Sequence, residues 1–133
     1  MIFVDSNIPM YLVGAPHPHK TEARFLLESL IASGQRLVTD AEVVQEILRR
    51  YTSIDRRDAI GPAIQVTVNI VDDIFAIENT DVLRAAEITQ NRVLLSARDA
   101  IHIAIMERHG IQSILSFDGD FDRWPGLKRI HQV

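Results

Sequence analysis

The chain opens with Ile2-Phe3-Val4-Asp5-Ser6-Asn7. Its apolar triplet reads as a short buried strand, and the polar residues after it end that strand. Ser6 or Asn7 can cap the helix that follows, and Pro9 suits a first helical turn. The same succession of strand, polar residue and helix returns downstream. Arg36 to Val38 reads as a second strand. Thr39-Asp40-Ala41-Glu42 then resembles a capping box, with Thr39 as cap and Glu42 reaching back. Its helix runs to about Arg50 on Val43, Val44, Ile47 and Leu48. Ile74 to Ile77 and Ser113 to Ser116 are the third and fourth strands, and Leu127 to Ile130 is a short fifth.

Between these strands lie further helices. Gly14 to His19 holds two prolines and reads as a loop, and Thr21 to Ser33 has Phe25, Leu26, Leu30 and Ile31 at helical spacing. Asp55 to Val71 favours helix through Ile60, Ala63, Ile64 and Val68, although Gln65 to Val71 is rich in β-branched residues and Gly61-Pro62 lies inside. Thr80 caps a helix to about Gln90. Ser96 caps another to His109, which Gly110 stops. Strands alternating with helices predict an α/β fold: a three-layer α/β/α sandwich around a central, mostly parallel sheet of four to five strands. Right-handed crossovers bring the strand C-termini to one edge.

With 133 residues the chain suits one domain, residues 1–133, with a sizeable core. Cys is absent, which excludes disulfides and thiolate zinc sites. No apolar run is long enough for a membrane helix, and no basic start marks a signal peptide, so a cytoplasmic location is expected. The net charge of -4 opposes general electrostatic binding to nucleic acid. An RNA substrate would therefore need metal ions and a local basic patch. Arg49, Arg50, Arg56 and Arg57 form one candidate, and Lys128 and Arg129 a smaller one, although a solvated helix face is the plainer explanation.

Four acids stand at the ends of predicted elements: Asp5, Glu46, Asp99 and Asp118. Each has an ordinary explanation. Asp5 could cap a helix, Ser96-x-x-Asp99 could be a capping box, and Asp118 could be a turn residue. Glu46 could pair with Arg50 at i+4. At ~100° per residue, Glu46 lies ~130° from the centre of its helix's apolar face, nearer the flank than Glu42 at ~170°. The helix of Asp99 is apolar nearly all round, so it is expected to be buried. Four carboxylates on one sheet edge would repel one another unless a cation joined them. Hard carboxylate oxygens suit Mg²⁺ or Mn²⁺, and two such ions ~4 Å apart could activate a water and stabilise the leaving oxygen of a phosphodiester. Asp118, Asp120 and Asp122 also look like the start of a calcium loop, but Arg123 and Arg129 stand where Gly and a bidentate Glu are needed.

Other residues read more plainly. His17 and His19 sit in a Pro-containing loop and are expected at the surface. His102, three residues after Asp99, reads as packed or hydrogen-bonded. Trp124 beside Pro125 is a loop anchor or interface residue. No phosphate-binding Gly-Lys-Ser/Thr loop is present.

Taken together, Ile2-Phe3-Val4-Asp5-Ser6-Asn7, Glu46, Ser96-Ala97-Arg98-Asp99-Ala100-Ile101-His102-Ile103-Ala104 and Ser116-Phe117-Asp118-Gly119-Asp120-Phe121-Asp122 resemble the PIN-domain ribonucleases, in particular VapC-type toxins of toxin–antitoxin pairs. The resemblance covers nearly the whole chain. It implies a metal-dependent endoribonuclease acting on structured RNA such as tRNA or rRNA and leaving a 5′-phosphate and a 3′-hydroxyl. It further implies that Asp5, Glu46, Asp99 and Asp118 hold one or two Mg²⁺ or Mn²⁺ ions, with Asp120 as an auxiliary acid. Ser116 and Asn7 would orient Asp5 or a bound water. A small antitoxin covering the acidic groove and a homodimer are the implied partners. The alternatives are a non-toxin RNA-processing nuclease and a vestigial RNA- or protein-binding module. A haloacid-dehalogenase phosphatase is disfavoured because Asp5-x-Asn7 lacks its second acid, and a receiver domain because nothing after Ile77 supplies its phosphoacceptor.

Overall fold

The computed structural model describes residues 1–90 and 94–132. Five strands form one sheet: β1 (Ile2–Val4), β2 (Leu37–Asp40), β3 (Asp73–Phe75), β4 (Ser113–Leu115) and β5 (Lys128–Ile130). Their order is β3-β2-β1-β4-β5, and every neighbouring pair is parallel. Helices α1 (Asn7–Val13) and α2 (Pro18–Ala32) connect β1 to β2. Helices α3 (Ala41–Ser53) and α4 (Ile60–Ile70) lead to β3, and α5 (Asn79–Gln90) and α6 (Ala97–Arg108) lead to β4.

Successive strand residues face opposite sides, so each short strand feeds two cores. Phe3, Val38 and Ile114 pack on one side with Val43 and Ile47 of α3, Ile88 of α5 and Ile103 of α6. Ile2, Val4, Leu37 and Leu115 pack on the other with Ile8 of α1 and Leu26 and Leu27 of α2. This is the expected three-layer α/β/α sandwich. Its α6 is buried at Asp99, Ala100 and every position from His102 to Met106, which explains why its sequence has so little polar face. No helix of the described residues is long and apolar enough to cross a membrane.

The chain adds β2 and β3 on one side of β1, then returns to add β4 and β5 on the other. The order reverses between β1 and β4. A crevice opens beyond the strand C-termini at such a reversal, because the flanking connections leave in opposite directions.

Several element ends differ from those expected. The cap of α3 is Asp40, whose Oδ1 accepts from the Val43 N–H at 2.9 Å. Thr39 still belongs to β2, and its hydroxyl donates to the Val4 carbonyl at 2.7 Å. Pairing with β3 extends β2 as far as Asp40, opposite Phe75, and this moves the cap one residue on. Helix α2 starts at Pro18 rather than Thr21, because the His17 ring accepts from the His19 N–H at 3.0 Å and proline lacks an N–H to satisfy. Ser6 precedes α1 but makes no side-chain cap, and Asn7 lies within the helix. Thr80 lies within α5, and the Asp81 carboxylate instead accepts from the Glu78 N–H at 2.8 Å. Residues 57–70 are helical as favoured, a 3₁₀ turn leading into α4. Gly61-Pro62 occupies its first turn, where a missing N–H costs little. Thr67 returns its hydroxyl to the Ala63 carbonyl at 2.8 Å, so it is buried without an unmet polar group.

The displaced cap gives a first test. Thr39→Val removes one buried hydrogen bond and is expected to cost about 1 kcal/mol. Asp40→Ala removes the cap and a buried partner of His102, and is expected to cost at least about 2 kcal/mol. Urea unfolding at neutral pH measures both. A larger loss for Thr39→Val would restore Thr39 as the cap.

Candidate active site

Asp5 follows β1 directly and is 5 % exposed. Its backbone N–H is bonded to the Leu115 carbonyl of β4 at 3.1 Å, which holds it in the crevice. Oδ1 accepts from the Ser6 N–H at 2.8 Å, and Oδ2 accepts from the Ser116 hydroxyl at 2.6 Å. That hydroxyl in turn accepts from the Asn7 side chain at 3.2 Å and the Asp118 N–H at 3.0 Å. With its one proton given to Asp5 and both lone pairs occupied, Ser116 ties the end of β1 to the turn after β4. Burial raises the Asp5 pKa and Glu46 adds to the rise; the charge of His102 and the bonds from Ser116 and Ser6 only partly offset it.

Glu46 is also 5 % exposed. The Glu46–Arg50 ion pair is not formed. Glu46 turns inward instead, pairing with Arg98 of α6 and meeting the His102 ring Nε2 at 3.3 Å. The other ring nitrogen of His102 lies 2.7 Å from Asp40 Oδ2. His102 is fully buried, and burial alone would lower its pKa. The charge and hydrogen bond of Asp40, the bond to Glu46 and the charge of Asp5 outweigh burial and raise it well above the ordinary value. The ring is therefore an imidazolium, donating from both nitrogens to Asp40 and Glu46.

Asp99 stands in the first turn of α6, where Ser96 caps the helix by accepting from the Asp99 N–H at 3.1 Å. Only half of the capping box forms. The Asp99 carboxylate accepts no hydrogen bond from the described residues, although the residue is 4 % exposed. Its pKa is pushed up to about 6, first by burial and then by Asp5 and Asp118, with His102 and Arg98 pulling the other way. Asp118 and Asp120 lie in the turn after β4, where Asp118 accepts from the Asp120 N–H at 2.9 Å and Asp120 pairs with Arg123 at 3.2 Å. Asp122 points elsewhere, bonded twice to Arg129 at 2.9 Å, which agrees with rejecting a calcium loop.

Two groups of potential ligand atoms result. One atom each from Asp99, Asp118 and Asp120 lie within 4.8 Å of one another, and so do one each from Asp5, Glu46 and His102. Both nitrogens of His102 are engaged, so in the second group it holds the ligands rather than serving as one. The donor set is then all carboxylate oxygen, and a buried Asp99 that has no hydrogen-bond partner among the described residues, beside two further acids, fits a hard divalent cation.

Asp40, His102 and Arg98 are the residues that sequence reasoning missed or undervalued. Asp40 was hidden inside an apparent capping box. The spacing of His102 from Asp99 was the one available signal. Arg98 gave none, because an arginine in a helical first turn is unremarked without its partner. Trp124 anchors the last loop against the core, beside an apolar pocket of about 280 Å³ that it lines with Ile103, Met106 and Leu127, and no acid of the two groups lines it.

The family model of the PIN domain matches residues 2–127. The chain belongs to the PIN-domain family. This PIN chain is 56 % identical over 130 residues to the ribonuclease VapC13 of Mycobacterium tuberculosis, covering 98 % of its own length and 99 % of the relative's. Among solved structures it resembles M. tuberculosis VapC20, described as a sarcin-ricin loop cleaving toxin, with TM-score 0.75, 25 % identity and coverage of 92 % and 93 % of the two chains. It also matches the structure of VapBC2 from Rickettsia felis bound to a promoter DNA fragment, with TM-score 0.75 and full coverage of both chains. At 14 % identity that match speaks to the fold alone.

The raised pKa of Asp99 has a stability consequence for the PIN fold. Because the folded value of about 6 exceeds the usual 3.8, ionisation of Asp99 destabilises the fold, and stability is lost as pH rises from about 4 through 6. In chelator, Asp99→Asn is therefore expected to be more stable than the native chain at pH 7.5, by about 1–3 kcal/mol. The difference should shrink towards zero near pH 4. Thermal melts across this range check it, and an equal effect of the substitution at both pH values would remove the repulsion argument.

Proposed function

We propose that residues 1–133 act as one PIN-like domain, a divalent-metal-dependent endoribonuclease that serves as the toxin of a toxin–antitoxin pair. The observation that carries this reading is the buried Asp99 carboxylate, without a hydrogen-bond partner among the described residues and set between Asp5 and Asp118 at the sheet's reversal point. The extensive identity to a VapC ribonuclease supports the reaction class, and the VapC20 description, which names the sarcin-ricin loop, supports a structured RNA as substrate; we take tRNA or rRNA as that RNA. The likeness to VapC ribonucleases, among them the VapC20 toxin, supports a small antitoxin as partner. A homodimer and a cytoplasmic location complete the reading.

In this proposal Asp5, Glu46, Asp99 and Asp118 hold one or two Mg²⁺ ions, for which Mn²⁺ substitutes, and Asp120 assists at the rim. A cation bound there supplies Lewis acidity, which makes water nucleophilic near neutral pH and stabilises the leaving oxygen of a phosphodiester. The protein's own part is positional. Ser116 and Asn7 orient the Asp5 carboxylate, His102 fixes Glu46, and the N-terminal end of α6 favours the Asp99 charge. Loss of such orienting groups costs about 10–100-fold in comparable sites, so loss of a ligand should cost more.

The test uses purified protein, total tRNA or rRNA, and Mn²⁺. Cleavage is expected with the native chain, absent with EDTA, and reduced by more than about 100-fold in Asp5→Asn and Asp99→Asn. Gel analysis of labelled RNA reads it. Cleavage that survives EDTA or either substitution would rule out the metal-dependent mechanism.

A further inference from the structure

Although the chain carries a net charge of -4, one cleft beside the acids concentrates positive charge. It has a volume of about 200 Å³ and is lined by Glu46, Arg49, Arg50, Ser53 and Arg98. Glu46, Arg49, Arg50 and Ser53 stand at i, i+3, i+4 and i+7 along α3, so they share one helix face. Arg98, from the first turn of α6, closes the other side and pairs with Glu46.

Two arginines of this cleft, Arg49 and Arg50, differ from others in the chain. Arg84, Arg108, Arg123 and Arg129 each hold an acidic partner. Among the described residues, Arg49 and Arg50 have neither an ion pair nor a side-chain hydrogen bond. Arg50 stands four residues after Glu46, the spacing of an ordinary helix ion pair, yet Glu46 has turned inward to Arg98 and His102. Two adjacent guanidinium groups are thus left with unused donors in a concavity. An arginine presents its N–H groups as a planar fork that matches phosphate oxygens.

We propose that Arg49, Arg50 and Arg98 form a subsite for a backbone phosphate of the RNA, next to the phosphate that is cleaved. This rests on the nuclease reading. Glu46 belongs to both the acidic group and the cleft, so an RNA strand crossing the acids passes over these arginines within a nucleotide or two. The acids repel a polyanion, and the subsite supplies the local attraction that the overall charge does not. The same fork would accept the carboxylates of an acidic polypeptide, but only a phosphodiester chain also has a group to place among the metal-binding acids.

The experiment compares Arg49→Ala/Arg50→Ala with Arg49→Lys/Arg50→Lys. Binding of fluorescent total tRNA is followed across a KCl series in an Asp99→Asn background, and kcat and KM are measured in the otherwise native chain. The alanine pair should weaken binding by about tenfold or more and lower the slope of log affinity against log salt by about 1–2. It should raise KM while kcat stays within about threefold, and leave Mn²⁺ affinity by calorimetry unchanged. The lysine pair should keep the salt slope. Unchanged RNA affinity and slope in a folded alanine pair would overturn the subsite, as would loss of polyglutamate binding with RNA binding intact. Failure of the native chain itself to bind or cleave RNA would instead overturn the nuclease reading.

Discussion

A buried imidazolium, that of His102, organises the C-terminal edge of the sheet. His102 has no contact with solvent and lies between Asp40 and Glu46, whose carboxylates come from the end of β2 and the second turn of α3. An ion pair in such a place costs several kcal/mol of desolvation for each partner, which only good geometry offsets. Here one imidazolium serves two carboxylates and tempers a third, Asp5. Asp40 also caps α3, so the same contact sets where that helix begins and how Glu46 is presented. Helix α6 supplies both His102 and Asp99. Its depth in the core therefore fixes the acidic groups relative to one another.

Around that cation, the other acids are arranged against their own stability. Asp99 and Asp5 are both buried and both raised in pKa, and each raises the other or is raised by a neighbour. A domain selected only for stability would replace one of them with a neutral residue. Their retention in one crevice has a physical reason if a divalent cation resides there, since the cation turns repulsion into binding energy. Local rules broken at a place of topological opportunity mark a functional site better than any one motif.

How much of this could be read in advance depends on what kind of information each residue carries. Asp5, Asp99 and Asp118 could be placed because they end strands or open a helix, and element ends follow from apolar runs and caps. The parallel sheet, α6 and the helix after Asp55 were legible for the same reason. Glu46 could be ranked above Glu42 by helical angle, but its partners could not be named. Asp40 was obscured by Thr39, because the boundary of β2 depends on pairing with β3, a contact more than thirty residues away. Arg98 and His102 needed the packing of α6 against α3 before either had a partner. The start of α2 was missed because a histidine ring, not a hydroxyl or carboxylate, is its cap.

The Ser116 hydroxyl joins residues that stand 111 positions apart. Strand β1 must lie beside β4 before Asp5 meets Ser116 or Asp118, and β4 leaves the ribosome only after β1, β2 and β3. Until then the crevice has one wall. An emerging chain therefore carries Asp5 and Glu46 without Asp118, and the complete acid set exists only once the sheet has closed around its first strand. Contact order thus acts as a timing device: the site matures with the fold and not before it.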